Sequence, residues 1–344
     1  MRLKARLAPT LLALALCCAH APASAQDAVE SFYKDKQIRL VVGSAAGSGY
    51  DIGARLVARY LSNYIPGHPT IVIQNQPGAG SVAMTNTLYN VAPRDGLTLG
   101  APINGMPTAP LLEPEGVRFD PTKLLWLGSV NREVQATYVW HTAPVQKLAD
   151  LFDKELVVGA TAPGTTQVDF PVAARGILGL KFKVISGYEG TAQIHKAMEM
   201  GEVQGVGSTA YASLRSLAQN WLDEGKVKVI AQWGLRRHPL LPDTPAILDL
   251  AKTEADRQAM TLLMARLEYG RPFFAPPGVP PDRAAALTAA FDKVVHDPAF
   301  VEEATKLKLE VEPVTGAEVA ALVSGVNATP PEVVARVREA LKGR

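Results

Sequence analysis

Three glycine- and hydroxyl-rich segments carry the chemistry this sequence can offer: Ser44-Ala-Ala-Gly-Ser-Gly-Tyr-Asp51, Asn75-Gln-Pro-Gly-Ala-Gly-Ser81 and Thr161-Ala-Pro-Gly-Thr-Thr166. Each follows a strand-like run and opens a helix-like stripe. Free N–H groups in a first helical turn, with the peptide dipoles aligned behind them, favour a negative group there without Arg or Lys. A partly buried helix N-terminus contributes up to ~2 kcal/mol, and each hydrogen bond to a charged group ~1.5 to 3 kcal/mol. Two such loops closing on one ligand can therefore reach the ~8 kcal/mol of micromolar binding, provided ordering and desolvation costs are offset. Glycines that merely serve tight turns account equally well for any single loop.

Other chemistries fare worse. Gly43-Ser-Ala-Ala-Gly47-Ser-Gly49 after a strand has the form of a short-chain dehydrogenase fingerprint. Against it, the second strand ends in Asn75 where an acidic residue would hold a ribose, and no Tyr is followed four places later by Lys. His68, His141, His195, His238 and His296 stand more than 40 residues apart, so none forms a local metal pair. No Ser occupies a Gly-x-Ser-x-Gly elbow. Glu302 and Glu303 read as a solvated helix face. No enzyme activity, cofactor or metal is expected.

The elements that must position the loops alternate. Ile38 to Gly43 reads as a buried strand, and Ile52, Leu56, Val57, Tyr60, Leu61 and Tyr64 form one helical stripe capped by Ser48 or Asp51. A strand from Thr70 to Gln74, a helix from Val82 to Asn90 and a strand from Leu97 to Gly100 follow. Pro102 to Asp120 reads as a surface crossing, and Leu124 to Val130 as a strand. The pattern resumes with a strand from Leu156 to Gly159, a helix ended by Gly179 and strands at Phe182 to Ser186, Val203 to Gly207 and Val227 to Gln232. The chain ends in helices from Arg283 to His296 and from Pro331 to Leu341. Alternating strands and helices predict an α/β fold with mostly parallel sheet.

The N-terminal residues predict export. Arg2, Lys4 and Arg6 precede an apolar run from Leu7 to Cys18, and Ala23-Ser-Ala25 offers a small-x-small cleavage site. That run is too short to span a ~30 Å hydrocarbon core. Cleavage near Ala25 would remove Cys17 and Cys18, the only two cysteines, so the periplasmic chain of 319 residues would hold no thiol or disulfide. It would leave 32 basic residues against 33 acidic ones, which excludes an electrostatic nucleic-acid partner.

Taken in order along the chain, these residues resemble the tripartite tricarboxylate transporter receptors, or Bug proteins. The resemblance runs from Phe32-Tyr-Lys-Asp-Lys-Gln-Ile-Arg-Leu-Val-Val42 through Val72-Ile-Gln-Asn-Gln-Pro-Gly-Ala-Gly-Ser81 and Ala92-Pro-Arg-Asp-Gly-Leu-Thr-Leu99. Gly164-Thr-Thr166, Gly187-Tyr-Glu-Gly-Thr191, Arg237 to Pro245 and Ala275-Pro-Pro-Gly278 continue it. It implies a type II periplasmic binding protein, two α/β lobes with a ligand cleft between them. The implied lobes are 26–132 with 236–344, and 133–235, after a signal peptide over 1–25.

The resemblance also implies a small carboxylate ligand held by Ser48, Gly49, Tyr50, Asp51, Gly164, Thr165 and Thr166, with Tyr188 and Thr191 as walls. Integral-membrane transporter subunits are the implied partners of a monomeric receptor. A sensor subunit serving a signalling protein would share the same cleft. Ala46, Ser48, Tyr50 and Gln204 depart from the family's Pro, Gly, Thr or Ser, and Asp, and read as departures at the pocket. Tyr50 there serves either to stack on a flat acid or to pack the lobe.

Overall fold

The computed structural model describes residues 25–343. The expected export segment, with Cys17 and Cys18, lies outside the described residues apart from Ala25. No helix among the described residues is long and apolar enough to cross a membrane.

The chain begins α1 (Ala25–Tyr33), β1 (Gln37–Val42), α2 (Gly49–Tyr64), β2 (Thr70–Asn75), α3 (Val82–Asn90) and β3 (Thr98–Ala101). A short α4 (Ala109–Leu112) precedes β4 (Leu125–Ser129). Next come β5 (Gln135–Trp140), β6 (Leu156–Ala160), α5 (Thr166–Leu178), β7 (Phe182–Ser186) and α6 (Thr191–Glu199). After them stand β8 (Gly205–Ala210), α7 (Tyr211–Asp223), β9 (Val227–Trp233) and α8 (Glu254–Met264). The last elements are β10 (Pro272–Ala275), α9 (Pro281–His296), α10 (Pro298–Lys306), β11 (Val314–Thr315), α11 (Gly316–Asn327) and α12 (Pro331–Leu341).

Two sheets form two α/β lobes, one ordered β11-β4-β10-β3-β1-β2 and the other β7-β6-β8-β5-β9. Around the glycine loops the strands are parallel: β1 lies between β2 and β3, and β6 between β7 and β8. The sheets are nevertheless mixed and not mostly parallel, because β5 and β10 run against their neighbours. These are the strands by which the chain enters the second sheet from β4 and returns to the first. Strands linked through helices stay parallel; strands that arrive from the other lobe are free of that constraint.

Each sheet is closed by apolar helix faces. Leu40, Leu56, Val57, Leu61, Phe273 and Phe291 share one core of the first sheet, while Met106, Trp126 and Tyr269 cover its other face. Val158, Phe170 and Trp233 centre the second core, which also takes in Ile247, Leu263 and Val337. Thus α8 and α12, late in the chain, pack on the second sheet beside α5.

Two details differ from the sequence reading. Ile52, expected on the buried stripe, is 39% exposed, while Asp51 and Gly53 on either side of it are buried. The stretch 102–120 is a surface crossing only in its second half: Asn104, Met106 and Thr108 are buried, whereas Glu113, Pro114, Glu115 and Gly116 are exposed.

Candidate functional site

In open α/β sheets the crevice beyond the carboxyl ends of the strands collects helix N-termini. Here β1 delivers the chain to Ser44–Asp51. Gly47 takes a left-handed φ of 79°, which glycine adopts without a Cβ penalty. Its amide donates to Asp51 Oδ2 at 2.8 Å. Ser48 is the N-cap of α2, its Oγ accepting from the Asp51 amide at 3.3 Å. The buried Asp51 carboxylate also accepts from Arg55 Nε at 2.9 Å and Asn75 Nδ2 at 2.8 Å. Burial opposes its ionisation, but the bonds from Arg55, Gly47 and Asn75 outweigh burial and hold the carboxyl below its usual value. Of the two roles open to Asp51, capping falls to Ser48. Asp51 anchors the turn that presents the Gly49 and Tyr50 amides.

The second lobe repeats the device. After β6, Gly164 has φ 86° and its amide donates to Asp169 Oδ1 at 3.1 Å. Thr165 is the N-cap of α5, yet its Oγ1 donates to Ala162 O at 2.6 Å and does not cap the helix. Thr166 begins α5, half-buried. Gln167 accepts from the Thr161 amide at 3.1 Å and donates to Thr191 Oγ1 at 3.1 Å, which ties the start of α6 to the start of α5. Tyr188, half-buried, is set by its amide's bond to Ala160 O at 3.3 Å. Gly164, Thr165, Thr166, Tyr188 and Thr191 therefore lie together at one end of the second sheet.

Between the two loops stands the 103–106 turn, which sequence reasoning missed. The Asn104 amide donates to Tyr50 Oη at 3.3 Å. The Arg271 guanidinium lies 5.2 Å from the Tyr50 ring centroid and donates to Gly49 O at 2.6 Å. Tyr50 thus packs the lobe as a platform for Arg271, and burial raises its phenol above the usual value. Arg271 also faces Glu133 at 3.8 Å, whose carboxyl is raised by burial in spite of that charge. Arg266 donates to Gly164 O and to Asp169 Oδ2, each at 3.3 Å. The seam among Gly80, Gly105, Gly164, Asp169 and Arg266 encloses about 20 Å³, room for about one water.

A signal for the arginines was available: Met264-Ala-Arg-Leu-Glu-Tyr-Gly-Arg271 sets charges inside an apolar run, where a charge must be paired. Gln204, read as a pocket departure, lies elsewhere. It precedes β8 and accepts from the Val157 amide at 3.0 Å, at the end of β6 opposite the Gly164 loop. Among the described residues no group of His, Cys, Asp and Glu could hold a metal. A groove of about 870 Å³ between α8, α11 and α12 touches neither loop.

Two α/β lobes that bring paired strand-to-helix loops together define a binding protein of the periplasmic type. Residues 54–328 match the model of the tripartite tricarboxylate transporter family receptor. The chain belongs to that family, whose members are solute-binding receptors and not enzymes. A UPF0065 protein from the gbd 5' region of Cupriavidus necator is 26% identical over 320 residues, covering 89% of this chain and 88% of its own. A TctC solute-binding protein from Polaromonas has a similar structure, with a TM-score of 0.68 at 18% identity over 91% of this chain and 100% of that one. MatC from Rhodopseudomonas palustris, solved with malate, has a TM-score of 0.64 at 20% identity over 89% of this chain and 99% of that one.

Proposed function

We propose that this chain, exported and cleaved near Ala25, captures a small carboxylate-bearing solute in the periplasm as a monomer and delivers it to integral-membrane subunits of a tripartite transporter. The observation that carries this reading is the matched pair of loops. Each has a left-handed glycine whose amide is tied to a buried aspartate; the Ser48 and Thr165 amides close the turns on Ala45 O and Ala162 O, which leaves the Gly49, Tyr50 and Thr166 amides of the first helical turns to meet an anion. Ser48, Gly49 and Tyr50 supply one side, with Asp51 as anchor. Gly164, Thr165 and Thr166 supply the other, with Tyr188 and Thr191 as walls. The malate held by MatC supports a carboxylate as the ligand class.

The lobe division proposed here departs from the sequence-based one twice: α12, with Val333, Val334 and Val337 in the second core, joins the second lobe, and the return crossing moves. Ile247, Leu263 and Leu267 lie in the second core and Tyr269 in the first, so the return crossing falls near Glu268 instead of near Leu235. Mass spectrometry of small molecules released from protein purified without refolding tests the ligand class. A carboxylic acid is expected; a neutral or cationic solute at full occupancy would overturn the reading. Uptake of that acid should fall in cells lacking the protein, whereas unchanged uptake would remove the transporter from the account.

A further inference from the structure

The two aspartate clips are completed differently. In the first lobe Arg55, one helical turn beyond Asp51 and 49% exposed, binds Asp51 and Asn75 of the same lobe. In the second lobe the cation on Asp169 is Arg266, 97 residues later and 4% exposed, carried by the segment that returns from one lobe to the other. Ala265 and Leu267, on either side of it, pack in the second core, and Tyr269 packs in the first. Its Nε is buried with no partner among the described residues.

Arg266 also meets the first lobe at Gly105, whose neighbour Met106 packs in the first lobe's core. A Cβ at Gly105 would stand 3.1 Å from Arg266 Nη1 and 3.5 Å from Gly164 O. Gly105 has an ordinary φ of −75°, so its backbone conformation suits any residue. Close approach alone calls for glycine. One guanidinium nitrogen, Nη1, therefore bonds the carbonyl and the aspartate that shape the second loop and lies against the turn that carries Tyr50's partner Asn104.

We propose that Arg266 is a positioning residue that couples docking of the Gly105 turn to the shape of the 161–166 loop, so that the second loop is set for solute only when the lobes meet. The proposal rests on the reading of the two loops as the solute site. The first clip closes on residues of its own lobe alone, Arg55 and Asn75. Arg266 is held in the second lobe by Ala265 and Leu267, with the first lobe's Gly105 turn against its Nη1, so this clip alone meets the other lobe.

Gly105→Ala tests it, because it places a methyl group against Arg266 while leaving every hydrogen-bonding group of the clip in place. Hydrogen exchange is read by peptide in the ligand-free protein. Lobe separation is read by energy transfer between dyes at Gln74→Cys and Ile185→Cys, exposed positions on β2 and β7. The expected result is lower transfer and at least fivefold faster exchange over 161–168, with exchange over 44–52 unchanged. The double variant Arg266→Met with Asp169→Asn should loosen the same peptide, and Arg266→Lys should restore it only in part. Unchanged exchange over 161–168 in Gly105→Ala, or equal loosening of both loops, would overturn the proposal. Failure of the wild-type protein to bind any carboxylate would instead remove the site reading, and the exchange result would still decide the coupling.

Discussion

The Gly164 amide donates to Asp169 Oδ1 at 3.1 Å, repeating in the second lobe the 2.8 Å bond from Gly47 to Asp51 in the first. In both, glycine supplies the left-handed turn and a buried carboxylate fixes it. A loop held in its working shape before a ligand arrives loses less freedom on binding, which raises affinity without added contacts.

Asp51→Ala should therefore act on stability and on binding together. It removes the acceptor for Gly47, Arg55 and Asn75, and a loss of about 2 to 4 kcal/mol is expected in urea unfolding. The Asp51 carboxyl lies below its usual value in the fold. Its contribution is thus complete above the unfolded value of about 3.9 and is lost as pH falls through the folded one. Asp51→Asn should flatten that part of the acid limb.

The two threonines should separate. Thr165 spends its hydroxyl on Ala162 O at 2.6 Å, so Thr165→Ala is expected to cost about 1 kcal/mol of stability. Thr166 has no such commitment among the described residues. Thr166→Ala should leave the Tm of the empty protein nearly unchanged and weaken acid binding about tenfold, or about 1.4 kcal/mol. Calorimetric titration and a melting curve on each variant read both effects.

Tyr50→Phe removes the acceptor of the Asn104 amide but keeps the ring beneath Arg271. A loss of about 1 to 3 kcal/mol follows from the stranded amide. Tyr50→Ala removes the platform too and should cost more. Equal stability of Tyr50→Phe and wild type would show that this bond contributes nothing.

What the sequence made legible was local. Strand, left-handed glycine, cap and helix stripe fall within a dozen residues of each other, so both loops and the helices they open could be read directly. Arg266 and Arg271 could not be placed, since their partners Asp169 and Gly49 lie 97 and 222 residues away. The short β10 carries too few residues for a period to register, and β5 follows Asn131 to Glu133, where polar residues read as a crossing. Polar side chains that satisfy distant backbone groups, as Gln204 does for Val157, look like site residues until the sheet register is known.

His195 supplies a pH response remote from the loops. It is buried 2.7 Å from Tyr138 Oη, edge-on to the Tyr138 ring and tilted against Trp221, and burial holds its imidazole down at about 4. Since the folded value lies below the unfolded value of about 6.5, its stabilisation is complete above that pH. It declines toward pH 4 with a slope of at most about 1.4 kcal/mol per pH unit. His195→Gln, which keeps a polar partner for Tyr138, should flatten the stability profile across that interval. Parallel profiles for variant and wild type would contradict the assignment.

The central claim is anion capture by the two loops, and calorimetric titration of small acids beside their neutral amides tests it most directly. At least one acid is expected to bind, its amide is not, and Thr166→Ala should weaken the acid about tenfold. Equal binding of acid and amide, or wild-type affinity in the Thr166 variant, would contradict it.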